Sequence, residues 1–445
     1  MPNVLFAAPP VARFHLHERL QRELRRRGHQ TTWLLVDGQE ARFVAAQEQP
    51  VVLVQSEPDA GCLDEAAGWA AADLLLRGLA PTGRRWRKAL ALRSRWLGSH
   101  WSAVERCFDR VRPDLVLCHQ RRGGVPALVQ FAARERGIPV LWTGDGLLPH
   151  TQQIDVRGLD GDASGIGQPA AALRVASREP KLLAACLAHG LGGGAPVGLP
   201  PAGLLGRSWA DRFGAALGNR LGAREPDLPR ALGAALRDLP ERPFVTLLLQ
   251  AELAPQRCLD AELVATDALV RAARQAVAGL DPGLALVVVA QPRASLLARR
   301  RLAALGGGTV LPAAAAGVAA AAALAVLTVN HPAAAIGLLA GTPVVHCGRA
   351  LYGLPTVTTG ASVPTLAAAL ARAVGSDAPL LRERWLTQLF AVRHLWCSAT
   401  EPDHNGLLGL VAALEAALGA GGGGRIRSSV VKHRIGPPWP LDRNG

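Results

Sequence analysis

The sequence predicts an α/β protein of two doubly wound units with a ligand cleft between them. Three observations predict it: short apolar runs alternate with helix-like stretches up to residue 142, the alternation returns from residue 244, and a Gly/Pro-rich stretch separates the two. At 445 residues, 49% hydrophobic and 19% charged, the chain has the bulk for two or three domains and too much apolar content for disorder.

Residues 3–8 form a short strand of the buried type, ended by Pro9 and Pro10. Residues 13–27 carry Leu16, Leu20 and Leu24 one turn apart and read as a helix that Gly28 closes. Strands at 31–36 and 51–54 follow, then helices across 64–110, a strand at 114–118, a helix at 127–136 closed by Gly137, and a strand at 139–142. Between 166 and 241 the pattern weakens, with Gly192, Gly193, Gly194, Pro200 and Pro201 marking a connection. The second unit alternates strands at 244–249, 285–289, 309–311, 325–329 and 343–347 with helices at 260–278, 295–305, 313–323 and 333–340. Helices at 363–373, 380–395 and 406–418 close it. The predicted divisions are therefore 1–165, a helical connection 166–240, a second α/β domain 241–418, and a basic, Gly-rich mobile tail 419–445.

Net charge is +14, and apart from Lys88, Lys181 and Lys432 every basic residue in the basic total is arginine. Guanidinium suits phosphate and carboxylate, which brings in anionic ligands or surfaces, although base composition of a genome produces the same bias. The odd set Cys62, Cys107, Cys118, Cys186, Cys258, Cys347 and Cys397 contains no CxxC and reads as reduced thiols, with no metal site. Arg13 and His15 interrupt any export-signal pattern, which predicts a cytoplasmic chain. The uncharged stretch 309–329 is long enough to span a bilayer, but it is mostly alanine and is broken by Pro312, Gly317 and Thr328. It reads as strand, short buried helix, strand.

A P-loop, HExxH, GxSxG and strand-linked GxGxxG are all absent. Gly144-Asp145-Gly146 follows a strand and offers a carboxylate as base or nucleophile; a plain Gly-Asp-Gly turn is the alternative. Asn330-His331-Pro332 stands between a strand and a helix, a seat for phosphate or simply a helix cap. Gln291-Pro292-Arg293 has the same placement, with Arg293 able to reach an anion. Asp160-Gly161-Asp162 has the form of a metal-binding Asp-x-Asp, but its glycine-rich setting reads as a turn, so no metal or other cofactor is expected. Arg84, Arg85, Arg87, Lys88, Arg93 and Arg95 interleave with Trp86, Trp96 and Trp101, which suits an anionic membrane surface or a solvated basic helix; no nucleic-acid module accompanies them. Arg299-Arg300-Arg301 reads as an exposed helix face.

Several of these blocks, in order, resemble the capsule polysaccharide biosynthesis family of bacterial β-Kdo transferases. They are the strand, loop and turn of residues 6–14 with Arg27-Gly28-His29, Gly144-Asp145-Gly146 with Asp155, Gly158 and Ser164, Gln250 after a strand, and Asn330 with Gly341-Thr342-Pro343-Val344 and the run 348–355 that holds Tyr352. The resemblance covers about residues 1–165 and 241–415. It implies a glycosyltransferase with two facing Rossmann-like domains (the GT-B arrangement), a CMP-activated acidic sugar such as Kdo, a lipid-linked or polysaccharide acceptor, and work in the cytoplasm at the inner membrane. It gives Asp145 the catalytic role, Asn330, His331, Gln291 and Arg293 the nucleotide phosphate, and Arg13, Gln250, Arg349 and Tyr352 sugar or acceptor contacts. The sequence departs from the family where Gln291-Pro292 replaces His-Pro, where His331 replaces Ser, and where Gly144 stands in place of a second acid. Either His331 takes over the phosphate contact or the chain is a catalytically silent relative that binds nucleotide or assembly partners; a sugar-nucleotide epimerase is a third reading of the same architecture.

Overall fold

The computed structural model describes residues 1–7, 9, 13–35, 51–53, 100–119, 124–159, 163–164, 173, 176–191, 239–250, 265–291, 294–375, 378–397 and 404–420. The basic segment 84–96, Asp160-Gly161-Asp162, Arg293 and the tail beyond 420 lie outside the described residues.

The first unit is a seven-stranded sheet. Strands β1 (Asn3–Ala7), β2 (Gln30–Leu35), β3 (Val51–Leu53), β4 (Leu115–His119) and β5 (Val140–Asp145) run parallel in the order β5-β4-β1-β2-β3. Parallel strands covered on both faces need unbroken apolar runs, and β4 is buried along its whole length. Helix α1 (Phe14–Arg26) buries Phe14, Leu16, Leu20 and Leu24 against one face. Its end is turned by Gly28 at φ +86°, a conformation that costs glycine little. The helical stretch 100–111 and α2 (Gly124–Glu135) cover the other face, where the Trp101 ring packs on Phe131 with centroids 5.3 Å apart.

The sheet continues where the sequence showed no strand. After β5 the chain reverses into β6 (Thr151–Asp155), antiparallel to β5. Helix α3 (Pro180–Leu191) then leads away from the first unit.

The second unit is a six-stranded, all-parallel sheet. It alternates β7 (Phe244–Leu248), α4 (Thr266–Leu280), β8 (Ala285–Val289), α5 (Leu296–Gly306), β9 (Val310–Leu311), a 3-10 turn (Ala313–Ala315), α6 (Ala316–Ala322), β10 (Ala325–Thr328), α7 (Ala334–Ala340), β11 (Val344–His346) and β12 (Thr359–Gly360). The strand order is β12-β11-β10-β7-β8-β9. The uncharged stretch 309–329 is thus strand, short helix and strand, and no described helix is long and apolar enough to cross a membrane. Both units are Rossmann-like, with helices on both faces of a parallel sheet.

Helix α8 (Leu366–Val374) closes the second unit, and α9 (Pro379–Val392) packs beside α3. The chain then returns to the first. Its next strand, β13 (His394–Trp396), pairs antiparallel with β6, and α10 (His404–Ala420) lays Leu407, Leu410, Val411 and Leu414 on the core of α1. This corrects two expectations. The helix expected over 380–395 stops at Val392, because Arg393 and the strand after it are drawn into the edge of the first sheet; and residues 394–420 belong structurally with the first unit, not with 241–418. The reason is a buried ion pair. Arg393 Nη1 donates to Asp155 Oδ2 (2.7 Å), and Asp155 also accepts the backbone N–H groups of Arg157 (2.8 Å) and Ser164 (2.9 Å) and the Ser164 hydroxyl (2.9 Å). Asp155 and Ser164, placed by the resemblance in the acidic-Gly segment, are thereby committed to holding the fold.

Candidate functional site

In an open parallel sheet, ligands bind beyond the carboxyl ends of the strands where the strand order reverses. Here those points lie between β1 and β4 in the first unit and between β7 and β10 in the second.

At the first, Arg13 precedes α1 and is buried. It donates to Gln152 Oε1 (2.8 Å) and forms an ion pair with Asp145, the last residue of β5. The two partners differ in access: the Arg13 side chain is 5% exposed and that of Asp145 62%. Burial lowers the guanidinium to about 10, so it stays a cation at neutral pH. A buried cation therefore holds an accessible carboxylate at the carboxyl end of β5, inside the sheet. Gly144-Asp145-Gly146 is not a free turn, because Gly144 and Asp145 lie within β5. Its glycines serve close approach: a Cβ on Gly146 would fall onto the Thr151 hydroxyl and lie 2.8 Å from His394 Cδ2. Gly146→Ala is expected to destabilise the protein by ~1–3 kcal/mol through overpacking, read by chemical denaturation.

Two histidines complete this corner. His119 ends β4, and one of its ring nitrogens, Nδ1, lies 3.1 Å from Thr143 Oγ1 while Nε2 is buried without a hydrogen bond. His17, one turn into α1, places Nδ1 2.8 Å from the Arg13 carbonyl, with its ring edge-on to His119 at 5.8 Å. Burial first, then the nearby Arg13 charge, holds His119 well below the usual imidazole value. Sequence reading missed both. His119 follows Cys118 at a strand's carboxyl end, the same signal that singled out Asp145 and Asn330; His17 sits inside an amphipathic helix and gives no such signal.

At the second switch point, Gln250 follows β7 and its Oε1 accepts the Asn330 N–H (3.3 Å) beyond β10. Tyr352 is buried and donates to the His331 carbonyl (3.0 Å), while the indole of Trp385 donates to the Tyr352 carbonyl (3.1 Å). Arg349 is exposed on the same loop. Gln291 is part-buried beyond β8, and its carbonyl accepts the Ala294 N–H.

His331 is held differently from the expectation. Its Nδ1 accepts the Ala333 N–H (3.1 Å), which puts the ring proton of a neutral imidazole on Nε2, and burial lowers its pKa to about 4. The next N–H groups are also taken, Ala334 by the His331 carbonyl and Ala335 by that of Pro332. The helix start expected to receive a phosphate is thus closed on itself, and His331 caps it as a neutral group.

The loop after β5 and helix α7 meet on α3. Leu148, just beyond Asp145, and Ile336 of α7 both press on Gly190 of α3, where an added Cβ would lie 3.3 Å from Leu148 and 3.0 Å from Ile336. Among the described residues no hydrogen bond joins Asp145 to Gln250, Asn330 or His331.

Buried neutral imidazoles make folding sensitive to acid. Burial brings His17 and His394 from 6.5 to about 4. The unfolded chain binds more protons between those values, so their contribution is complete above about pH 6.5 and is lost as pH falls toward 4, by ~1.4 kcal/mol per pH unit for each histidine. Denaturation at pH 7, 5.5 and 4.5 checks this: the stability drop should shrink in His17→Gln, and an equal drop in both proteins contradicts it.

No family model matches the chain, and no curated protein is significantly similar to it. Among solved structures, it is similar to the calicheamicin glycosyltransferase CalG4 (17% identity, 94% of this chain and 98% of that one, TM-score 0.37), to MurG of Acinetobacter baumannii (14%, 93% and 99%, 0.34), and to MnaA of S. aureus in a structure with UDP (11%, 94% and 97%, 0.35). The two-unit architecture rests on the hydrogen bonding of the two sheets themselves.

Proposed function

We propose that the chain is an enzyme that transfers a sugar from a nucleotide donor to an acceptor, with Asp145 as base or nucleophile. The observation that supports this is the Arg13–Asp145 pair, a buried cation presenting an accessible carboxylate beside the first switch point. A sugar leaving its nucleotide gains oxocarbenium character while charge grows on the departing phosphate. Asp145 serves the first, and the Nε2–H of His331, Gln291, Arg293 and Arg349 on the second unit serve the second. Gln250, Asn330 and Tyr352 brace that loop, and Arg13 positions Asp145. By resemblance, the donor is a CMP-linked acidic sugar of the Kdo type and the acceptor a lipid-linked or polysaccharide chain of capsule assembly, met at the inner face of a membrane. The scheme uses no metal.

A second reading has its own support. With the N–H groups of 333–335 internally bonded and Gln291 unable to carry charge, the chain fits a silent relative that binds nucleotide or assembly partners. Purified protein incubated with CMP- and UDP-linked sugars, with and without acceptor, separates the readings. Transfer or donor hydrolysis is expected, with CMP binding weakened about tenfold in His331→Ala. Binding without turnover favours the silent relative, and interconversion of the donor without acceptor an epimerase.

A further inference from the structure

The turn that follows Asp145 is held by parts of the chain far from it in sequence. Residues 146–150 join β5 to β6, and the turn closes on itself through the Gly146 N–H to the Thr151 carbonyl (2.9 Å) and the Thr151 N–H (3.3 Å) and hydroxyl (2.7 Å) to the Leu148 carbonyl. Two more of its backbone groups are met by imidazoles. His394, the first residue of β13, places Nε2 3.0 Å from the Leu147 nitrogen, and His189 of α3 places Nε2 2.7 Å from the Pro149 oxygen. Leu147 is buried, so its N–H depends on that partner.

The tautomers follow from the partners. A carbonyl only accepts, so His394 carries its proton on Nδ1, which donates to the Leu389 carbonyl near the end of α9 (2.9 Å). Its Nε2 keeps the lone pair that accepts the Leu147 N–H. By the same argument His189 donates from Nε2 to Pro149. The His394 ring is buried and tilted against Phe390, with centroids 5.2 Å apart, and its Cδ2 lies where Gly146 has no side chain.

Both imidazoles belong to elements tied to the second unit. Helix α3 packs on α7, and α9 carries Trp385, whose indole holds Tyr352 beside the His331 carbonyl. The Arg13 ion pair restrains Asp145 at its carboxylate, and the Leu147 tie restrains the backbone two residues beyond.

We propose that His394 is a positioning residue for Asp145, assisted by His189, and that the two hold the 146–150 turn so that the carboxylate stays beside the first switch point. The proposal rests on the sugar-transfer reading. Both rings act through the backbone of the turn, not on the sugar.

Steady-state rates with the best donor, beside calorimetric binding of its nucleotide, test it. His394→Asn keeps a donor for the Leu389 carbonyl and loses the acceptor for Leu147, whereas His394→Gln puts an amide oxygen in the place of Nε2. His394→Asn should lower kcat by about ten- to a hundredfold, with the donor KM and nucleotide affinity within about threefold. His394→Gln should recover most of that loss. His189→Leu, at a half-buried position, should lower kcat by about three- to tenfold with the same unchanged binding. In an Asp145→Asn background His394→Asn should cost nothing further, because both changes remove the work of one group. Rates are read at a temperature where thermal midpoints show each variant folded; if His394→Asn does not fold, His189→Leu decides, and an unchanged kcat there overturns the proposal. An unchanged kcat in His394→Asn while Asp145→Asn is impaired overturns the positioning role and leaves the sugar-transfer reading standing. So does an equal loss in His394→Asn and His394→Gln, or a full further loss in the Asp145→Asn background. Asp145→Asn as active as the unaltered protein overturns the reading itself, and the positioning role with it.

Discussion

On the proposed mechanism, Asp145→Asn is expected to lower the rate of sugar transfer by about two to four orders of magnitude and to leave nucleotide binding within about threefold. Asparagine keeps the volume of the side chain and an oxygen that can still accept from Arg13, so the corner around β5 stays assembled. It loses the charge and the basicity, the two properties the proposed chemistry uses. The substitution also takes the counter-charge from Arg13, whose side chain is 5% exposed, so a lowered thermal midpoint is expected and rates are compared at a temperature where both proteins are folded. Arg13→Met should act on the same step less directly, by releasing a carboxylate that remains present. Steady-state rates with the best donor, alongside calorimetric binding of its nucleotide, make the comparison. Turnover unchanged in Asp145→Asn removes Asp145 from the mechanism.

Arg393→Met costs about 3–5 kcal/mol of folding stability, the largest loss expected of any single substitution considered. The Asp155 side chain is 1% exposed and that of Arg393 12%, so removing the cation leaves a carboxylate enclosed without its counter-charge. The remaining N–H and hydroxyl donors lessen the penalty without cancelling it. The loss falls where β13 joins β6. The double variant with Asp155→Asn should recover part of it, since the stranded charge is gone. Urea unfolding of the four proteins of the cycle measures this; a single-variant loss under about 1 kcal/mol would mean that water reaches the pair and that the strand is held by its backbone alone.

Much of the fold was legible because its central strands are unbroken apolar runs. Val4-Leu5-Phe6 in β1, Leu115-Val116-Leu117 in β4 and Val287-Val288-Val289 in β8 admit few other readings at that length. The edges were not legible. β6 reads Thr-Gln-Gln-Ile-Asp and owes its extension to pairing with β5, and β13 continues a helical pattern until the sheet edge claims it. Strand-end polar residues stood out in sequence because a change from apolar to polar marks a strand's end, which is how Asp145 and Asn330 were found, while Gln250 came from the family resemblance. What such a signal does not carry is the partner. Arg393 and Asp155 are 238 residues apart, and Arg13 and Asp145 are 132 apart. Nor does it say which way an imidazole turns: the ring of His331, beyond a strand's end, folds back on Ala333.

The return of residues 394–420 to the first sheet sets the order in which this protein can be made. Leu395, Cys397, Leu407, Leu410, Val411 and Leu414 share a core with Phe6, Phe14, Leu16, Leu20 and Leu24. A nascent chain emerging from the ribosome therefore carries its opening half with one apolar flank uncovered until residue 420 is out, while the second unit, whose strands are contiguous in sequence, is free to form before it. A premature stop anywhere ahead of β13 leaves that flank bare, which makes the early translation products, more than the finished protein, the species in need of a chaperone.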